Sequence, residues 1–340
     1  MSRALTYTFG AFPCSVVPVD RSQLVAADRR ERFVVADTNT AAMAGGTPDY
    51  ILAAGESSKN WDELKAILDR LLDTDMSRDG VVIGVGGGVV TDIAAFAASI
   101  YMRGVRLILV PTTLLAMVDA ALGGKTGVNL AGYKNIVGTF YPAAELRICI
   151  AVLESLPERE YMSGLAEAIK TGMLGDAFVL DAIESNPDLI VARDGELLEE
   201  IVWRCIDVKG SIVEQDLRES GIRAHLNLGH TFAHALEATQ GLGQWSHGEA
   251  VAWGLVRALE LGLRLGVTSR AYASRVTALL TRYGYRTDPI PQAAGALVGA
   301  MRKDKKRMSE TLRFVVQDEL CVTSVVEVSA DEVAALLAGK

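Results

Sequence analysis

One junction constrains the fold most. Val81-Val82-Ile83-Gly84-Val85 is a continuous apolar run of strand length, and Gly86-Gly87-Gly88 follows it at once. Residues Thr91 to Ala98 then suit the start of a helix. A chain that alternates strand and helix in this way builds a parallel sheet with helices over both faces. The surrounding sequence repeats the pattern. Arg32-Phe33-Val34-Val35-Ala36-Asp37 is a short apolar run ending in a turn, and Tyr50-Ile51-Leu52 is a second. Between Ser58 and Leu72, apolar Trp61, Leu64, Ile67, Leu68, Leu71 and Leu72 recur at helical spacing, with Ser57 or Ser58 as the expected N-cap. Arg106 to Pro111 is a further strand.

Beyond residue 150 helical periodicity takes over. Helices are expected over 158–174, 195–214, 231–240, 248–265, 271–283 and 292–303, with a late hairpin from 312–316 and 321–326. The fold class is therefore α/β followed by a mainly helical part, divided as 1–150 and 151–340. The composition is globular, with 340 residues of which 50% are hydrophobic and 22% charged, which excludes a disordered chain. A net charge of −8 argues against a nucleic-acid partner. The most apolar stretch, Val105 to Gly124, is broken by Arg106, Pro111 and Asp119, so no membrane span and no membrane partner are expected. The start of the chain has no apolar core of a signal peptide. Cys14, Cys149, Cys205 and Cys321 show no CxxC spacing, which suits reduced thiols in the cytoplasm.

Three groups of residues carry chemistry. The first is the glycine turn, where backbone and helix N–H groups can approach a phosphate. As Gly-x-Gly-x-x-Gly it fails, because Val89 holds the sixth position. Asp37, the Gly55–Lys59 turn and Thr112-Thr113 fall at other strand ends, where doubly wound sheets bind ligands. The second group is histidine. The chain has four, and His230 and His234 share a helical face. His247 opens the next segment, and Glu167, with Lys170 three residues on, is an acid on an otherwise apolar face. Imidazoles with a third imidazole or a carboxylate suit a catalytic zinc ion. The third group is cationic: Lys125 flanked by glycines, Lys134-Asn135, Arg103, Lys209, Arg223 and Asp304-Lys305-Lys306, an anion pocket in an acidic chain.

Taken together, eight strings resemble the 3-dehydroquinate synthases, a family of sugar-phosphate cyclases, and the resemblance runs in order from about residue 32 to about 318. They are Gly86-Gly-Gly-Val-Val-Thr-Asp92, Tyr101–Arg106, Val110–Asp119, Gly123-Gly-Lys-Thr-Gly-Val-Asn129, with Lys134-Asn135, Gly164–Lys170, Arg223–His234, His247-Gly-Glu249 and Asp304–Lys306. The resemblance implies an N-terminal Rossmann-like NAD-binding domain, a C-terminal helical metal-binding domain and an active site in the cleft between them. It implies Zn2+ (or Co2+) held by Glu167, His230 and His247, which moves His234 from the metal to the substrate phosphate. NAD contacts would come from Asp37, Glu56, Lys59, Gly87, Gly88, Asp92, Thr112, Thr113, Lys125 and Lys134. Substrate contacts would come from Asp119, Lys125, Asn135, Lys170, Lys209, Arg223, Asn227, His234 and Lys306. Arg103 would reach the neighbouring active site of a homodimer.

The implied reaction converts 3-deoxy-D-arabino-heptulosonate 7-phosphate to 3-dehydroquinate, a step towards the aromatic amino acids. Transient oxidation by NAD acidifies the neighbouring C–H, phosphate leaves by β-elimination, the hydride returns, and an aldol step closes the ring. Retention of Arg223 and Asn227 suits a carboxylate-bearing substrate. The amino analogue of this substrate is an alternative, as is a metal- and NAD-dependent polyol dehydrogenase of similar architecture. Some positions depart from the family. Thr91 replaces a usual Gly, Ala120-Ala121 a Ser pair, Thr171 a Tyr and His225 an apolar residue, and the segment Asn39–Gly55 is short.

Overall fold

The computed structural model describes residues 4–26, 31–240, 244–304 and 311–339. In chain order the strands are β1 (Leu5–Phe9), β2 (Phe12–Pro18), β3 (Arg32–Asp37), β4 (Tyr50–Leu52), β5 (Val81–Gly86), β6 (Arg106–Pro111), β7 (Val128–Leu130), β8 (Tyr133–Val137), β9 (Glu145–Ile148), β10 (Thr311–Glu319) and β11 (Val322–Ser329). The helices are α1 (Trp61–Asp73), α2 (Gly88–Ile100), α3 (Glu158–Gly175), α4 (Ala177–Ser185), α5 (Pro187–Val191), α6 (Gly195–Gln215), α7 (His230–Gln240), α8 (His247–Arg264), α9 (Arg270–Arg282), α10 (Ala294–Asp304) and α11 (Ala330–Leu337). They form two compact units, Met1–Pro157 with Leu189–Arg218, and Glu158–Asp188 with Glu219–Lys340. The division is therefore not one cut near residue 150. Helix α6 belongs to the first unit although it is flanked in sequence by pieces of the second.

The first unit is built on a sheet of order β1-β2-β9-β6-β5-β3-β4. Every neighbouring pair is parallel except β1 with β2. Strand β5 is buried along its whole length, as its unbroken apolar run requires. The chain steps outward from β3 to β4, then returns through α1 to place β5 on the other side of β3. That reversal makes the β3/β5 boundary a topological switch point, and crevices there bind ligands beyond the carboxyl ends of the strands. Helix α6 meets the edge strand directly. Tyr7 Oη donates to Asp207 Oδ1 at 3.1 Å, and the Thr8 N–H donates to Glu214 Oε1 at 2.6 Å. Helix α1 begins later than the sequence suggests. Its N-cap is Asn60, whose side chain accepts from the Glu63 N–H at 2.9 Å, while Ser57 and Ser58 lie in a separate 3₁₀ turn. The short Asn39–Gly55 segment holds the 3₁₀ turn Ala41–Ala44 and β4, with no full helix.

The second unit packs α8 against both α3 and α7, with the β10–β11 hairpin beside α8. Helices α7 and α8 cross with almost no space between them. A Cβ on Gly254 would lie 2.2 Å from the Gly229 carbonyl oxygen, so both positions depend on glycine, and Gly229 has φ +77° besides. The hairpin is tied to α3 where Gln317 Nε2 and the Cys321 N–H both donate to the Met173 carbonyl, at 2.8 and 2.9 Å. Among the described residues no helix is long and apolar enough to cross a membrane.

Candidate active site

Each unit carries one cluster of the candidate side chains. In the second unit α3, α7 and α8 bring three of them together. Glu167 lies in the middle of α3 and is fully buried. His230 opens α7 directly after Gly229, and His247 opens α8. The start of α8 is fixed by a capping box, in which Ser246 Oγ accepts from the Glu249 N–H at 3.2 Å and the Ser246 N–H donates to Glu249 Oε2 at 2.6 Å. It is pressed onto α3 at Gly248, whose N–H donates to Ser163 Oγ at 2.9 Å. Ser163 stands one turn before Glu167 on the same helix. Glu167 Oε1 is 3.1 Å from His247 Nε2 and 3.4 Å from His230 Nε2. Lys170 Nζ is ion-paired with Oε2 at 2.6 Å.

This donor set fits a divalent metal. The three ligand atoms lie within 4.8 Å of one another. A tetrahedral ion with bonds of about 2.0–2.1 Å holds its ligands roughly 3.3 Å apart, close to the 3.1 and 3.4 Å found here. One carboxylate and two imidazoles with room for a further ligand is also the donor chemistry of catalytic zinc. Electrostatics favour the same arrangement. Burial alone would raise the Glu167 carboxyl, but Lys170 and His230 outweigh it and hold it well below the usual carboxylate range. Burial alone would lower His247, but Glu167 and Glu237 push the metal-free imidazole up to about 10.

His234 is exposed and lies outside this set, its ring edge-on to that of His230 at 5.4 Å. The shared helical face of His230 and His234 thus does not by itself assemble the cluster; Glu167 and His247 complete it. Thr171, at a position where the family usually has Tyr, turns back to donate to the Glu167 carbonyl at 2.9 Å. Arg223 is buried in the 3₁₀ turn Ile222–Asn227, and Asn227 Nδ2 donates to Glu219 Oε1. Lys306 lies outside the described residues.

In the first unit the cluster gathers around the carboxyl ends of β3, β5 and β6. Gly87 caps α2 without a side chain, so the first N–H groups of a thirteen-residue helix are open to an anion. Gly86 is required by packing, since a Cβ there would fall 2.5 Å from Val90 Cγ2. Gly88 follows at the first turn of α2, and Thr112 and Thr113 follow β6. Asp37 ends β3 and accepts from the N–H groups of Asn39 and Thr40, both at 2.9 Å. Lys59, 5% exposed, is ion-paired to Asp92. Burial raises the Asp92 carboxyl despite Lys59 and Lys209. Lys209, on α6, is paired in turn with Asp119. Lys125 and Arg103 are exposed, as are Lys134 and Asn135 on β8.

Two residues without an assigned role in the sequence reading stand out. Asn129 joins the turn before α1 to the β7–β8 ribbon: its N–H donates to the Lys59 carbonyl at 2.8 Å, Nδ2 to Glu56 Oε1 at 2.8 Å, and Oδ1 accepts from the Asn135 N–H at 2.9 Å. Glu237, two turns beyond His230 on α7, reaches His247 Nδ1 at 3.5 Å. The seven-residue spacing from His230 placed it on the ligand-bearing face, but an acid at that spacing is common on helices.

The chain matches the family model for the 3-dehydroquinate synthase N-terminal part over residues 49–163 and that for the C-terminal part over 164–307. It is 45% identical over 266 residues to 3-dehydroquinate synthases from two strains of Acidithiobacillus ferrooxidans, covering 78% of this chain and 73% of theirs. A solved structure of 2-deoxy-scyllo-inosose synthase complexed with carbaglucose-6-phosphate, NAD+ and Co2+ superposes with a TM-score of 0.86 over 99% of both chains, at 22% identity. The 2-epi-5-epi-valiolone synthase of Streptomyces hygroscopicus subsp. jinggangensis, solved with NAD+ and Zn2+ bound, gives 0.84 over 95% of both chains, at 25% identity. Continuous family matches across both units, on a chain that keeps the carboxylate–imidazole cluster, lead to one conclusion: the chain belongs to the 3-dehydroquinate synthase family.

Proposed function

We propose that this chain is a 3-dehydroquinate synthase, a lyase that converts 3-deoxy-D-arabino-heptulosonate 7-phosphate into 3-dehydroquinate and inorganic phosphate. The observation that carries the reading is the Glu167–His230–His247 cluster with Lys170 against it, in a chain of this family. Those three residues would hold Zn2+ or Co2+. When bound, the ion supplies Lewis-acid polarisation of a substrate oxygen, and NAD supplies the hydride acceptor that is also the donor.

The remaining chemistry falls to the chain. Gly87, Gly88 and the open N-terminus of α2 suit the cofactor's pyrophosphate. Asp37, Glu56, Lys59, Asp92, Thr112, Thr113, Lys125 and Lys134 complete the NAD contacts in this reading. Asn129 supports it by holding Glu56 and the Asn135 backbone in place. Lys125, His234, Lys306 and, from a neighbouring subunit, Arg103 surround the substrate phosphate and offset charge on it as it leaves. The phosphate serves as its own base for the neighbouring proton. Arg223 and Asn227 take the carboxylate, and Asp119, Asn135, Lys170 and Lys209 hold hydroxyl groups. A homodimer is part of the proposal, supported by the exposure of Arg103 on three successive residues of positive φ, Met102 (47°), Arg103 (65°) and Gly104 (119°). A cytoplasmic setting accords with buried cysteines in no disulfide at Cys14, Cys149 and Cys205.

The test is one assay on zinc-loaded protein with the heptulosonate phosphate and less than one NAD per chain, following phosphate and NADH together. Phosphate release over many turnovers without accumulating NADH is expected. NADH accumulating without phosphate would replace the proposal with a dehydrogenase, and silence in both channels would exclude this substrate.

A further inference from the structure

We propose that Glu237 is the positioning residue that presents His247 to the metal. This rests on the reading of Glu167, His230 and His247 as a divalent-metal site. An imidazole has two ring nitrogens, and the one that binds metal is set by what holds the other. His247 is held on both sides: Nε2 faces Glu167 Oε1 at 3.1 Å, and Nδ1 faces Glu237 Oε1 at 3.5 Å. The Glu237 side chain is 14% exposed, so this pairing is largely shielded from water. His230 is oriented in the same sense, with Nε2 towards Glu167 and Nδ1 3.2 Å from the Leu228 carbonyl oxygen.

The two outer partners differ in charge. His230 leans on a neutral carbonyl, whereas His247 leans on a carboxylate. An outer carboxylate fixes ring orientation and makes the inner nitrogen a stronger donor, and its loss typically weakens metal binding about 10–100-fold. The helix geometry explains why one element can serve both ligands. His230 and Glu237 are two turns apart on one face of α7, so the helix supplies a ligand at its start and the brace for the opposing ligand further along. His247 needs such a brace more than His230 does. Its side chain is 31% exposed against 11% for His230, and packing alone constrains its ring less.

The experiment is a zinc titration of metal-free wild type, E237Q and E237A in competition with a chromophoric chelator, with visible spectra of the cobalt-loaded forms. Wild type is expected to bind one ion per chain. E237A should bind roughly 10–100-fold more weakly. E237Q should fall between them, because its amide oxygen still accepts from Nδ1 but carries no charge. The bands of the cobalt-saturated variants should move, which a purely structural role would not cause. Zinc affinity within twofold of wild type and an unchanged cobalt spectrum in folded E237Q would overturn the proposal. Should E237A fail to fold, E237Q decides alone. Failure of wild type to bind either metal would instead overturn the metal-site reading on which the proposal stands.

Discussion

Replacing Gly248 with alanine tests whether the metal cluster depends on the close seating of α8 on α3. The added Cβ would stand 2.3 Å from both the Cα and the carbonyl oxygen of Ser163. That is over 1 Å inside carbon–carbon contact, which begins at about 3.5 Å. Both obstructing atoms are backbone, so no side-chain rotation relieves the overlap. The first turn of α8 must lift by about 1 Å, and the 2.9 Å hydrogen bond from the Gly248 N–H to Ser163 Oγ is stretched or lost. His247 is the adjacent residue, so its 3.1 Å approach to Glu167 opens with it. Overpacking of this kind costs about 1–3 kcal/mol. A displacement of about 1 Å at a catalytic centre can cost roughly 100-fold in rate. Gly248→Ala should therefore melt lower, bind zinc less tightly and release phosphate about 100-fold more slowly. Gly295→Ala is the control, because a Cβ there meets nothing within 4 Å. Thermal melts, zinc per chain and phosphate release on both variants decide the matter. Zinc affinity and turnover within twofold of wild type in Gly248→Ala would refute the reasoning.

Four further outcomes follow. Metal binding at neutral pH should release about one proton per ion, because metal-free His247 is pushed up to about 10 by Glu167 and Glu237 against the effect of burial. Heats of binding independent of the buffer's ionisation enthalpy would contradict this. For the metal-free protein the sign is fixed: a raised imidazole stabilises the fold fully below its ordinary value of 6.5, and that contribution is lost as pH rises through about 10. Denaturant midpoints of the metal-free protein should fall over that window relative to His247→Ala. Lys59→Gln leaves Asp92 without its partner, and losing one side of a buried pair costs about 3–5 kcal/mol; a denaturation curve matching wild type, with NAD affinity unchanged, would show that the pair does not hold this turn. Finally, burial pushes the Cys14 thiol up to about 12, and Cys149 and Cys205 are buried as well, so a thiol reagent should reach only Cys321 in the native protein. Two or more thiols reacting before denaturation would contradict that.

What the sequence made legible depends on how strongly one-dimensional pattern reports burial. Strand β5 was readable because both its faces are covered and its run is unbroken. Strand β8 was not, because Tyr133, Lys134, Asn135 and Ile136 are all exposed and the ribbon is held by backbone pairing and Asn129, which leave no hydrophobic period. Helix α11 carried a readable start, the Ser329–Glu332 capping box, but it is only eight residues long. The periodicity of α6 predicts a helix and says nothing about which unit it joins. The site divides in the same way. The residues around His230 are local, but Glu167 precedes it by more than sixty positions, and only resemblance to a family joins the two before the fold does. Glu237 is invisible to both, since its partner is supplied by a different helix.

The path of the chain has a consequence for synthesis. A nascent chain ending at Pro157 already contains every strand of the large sheet, yet it lacks Asp207 and Glu214, which bind Tyr7 and the Thr8 backbone at the sheet's edge. The first unit cannot finish folding until translation has passed Arg218. By then Glu167 and Lys170 have left the ribosome with their imidazole partners still unmade. Glu167 and Lys170, buried in the finished fold, precede His230 by some sixty residues, several seconds of synthesis at about 5–20 residues per second. The two units are thus interleaved in time as well as in sequence, and a gene cut between residues 157 and 158 would leave the first half without the helix that completes its sheet edge.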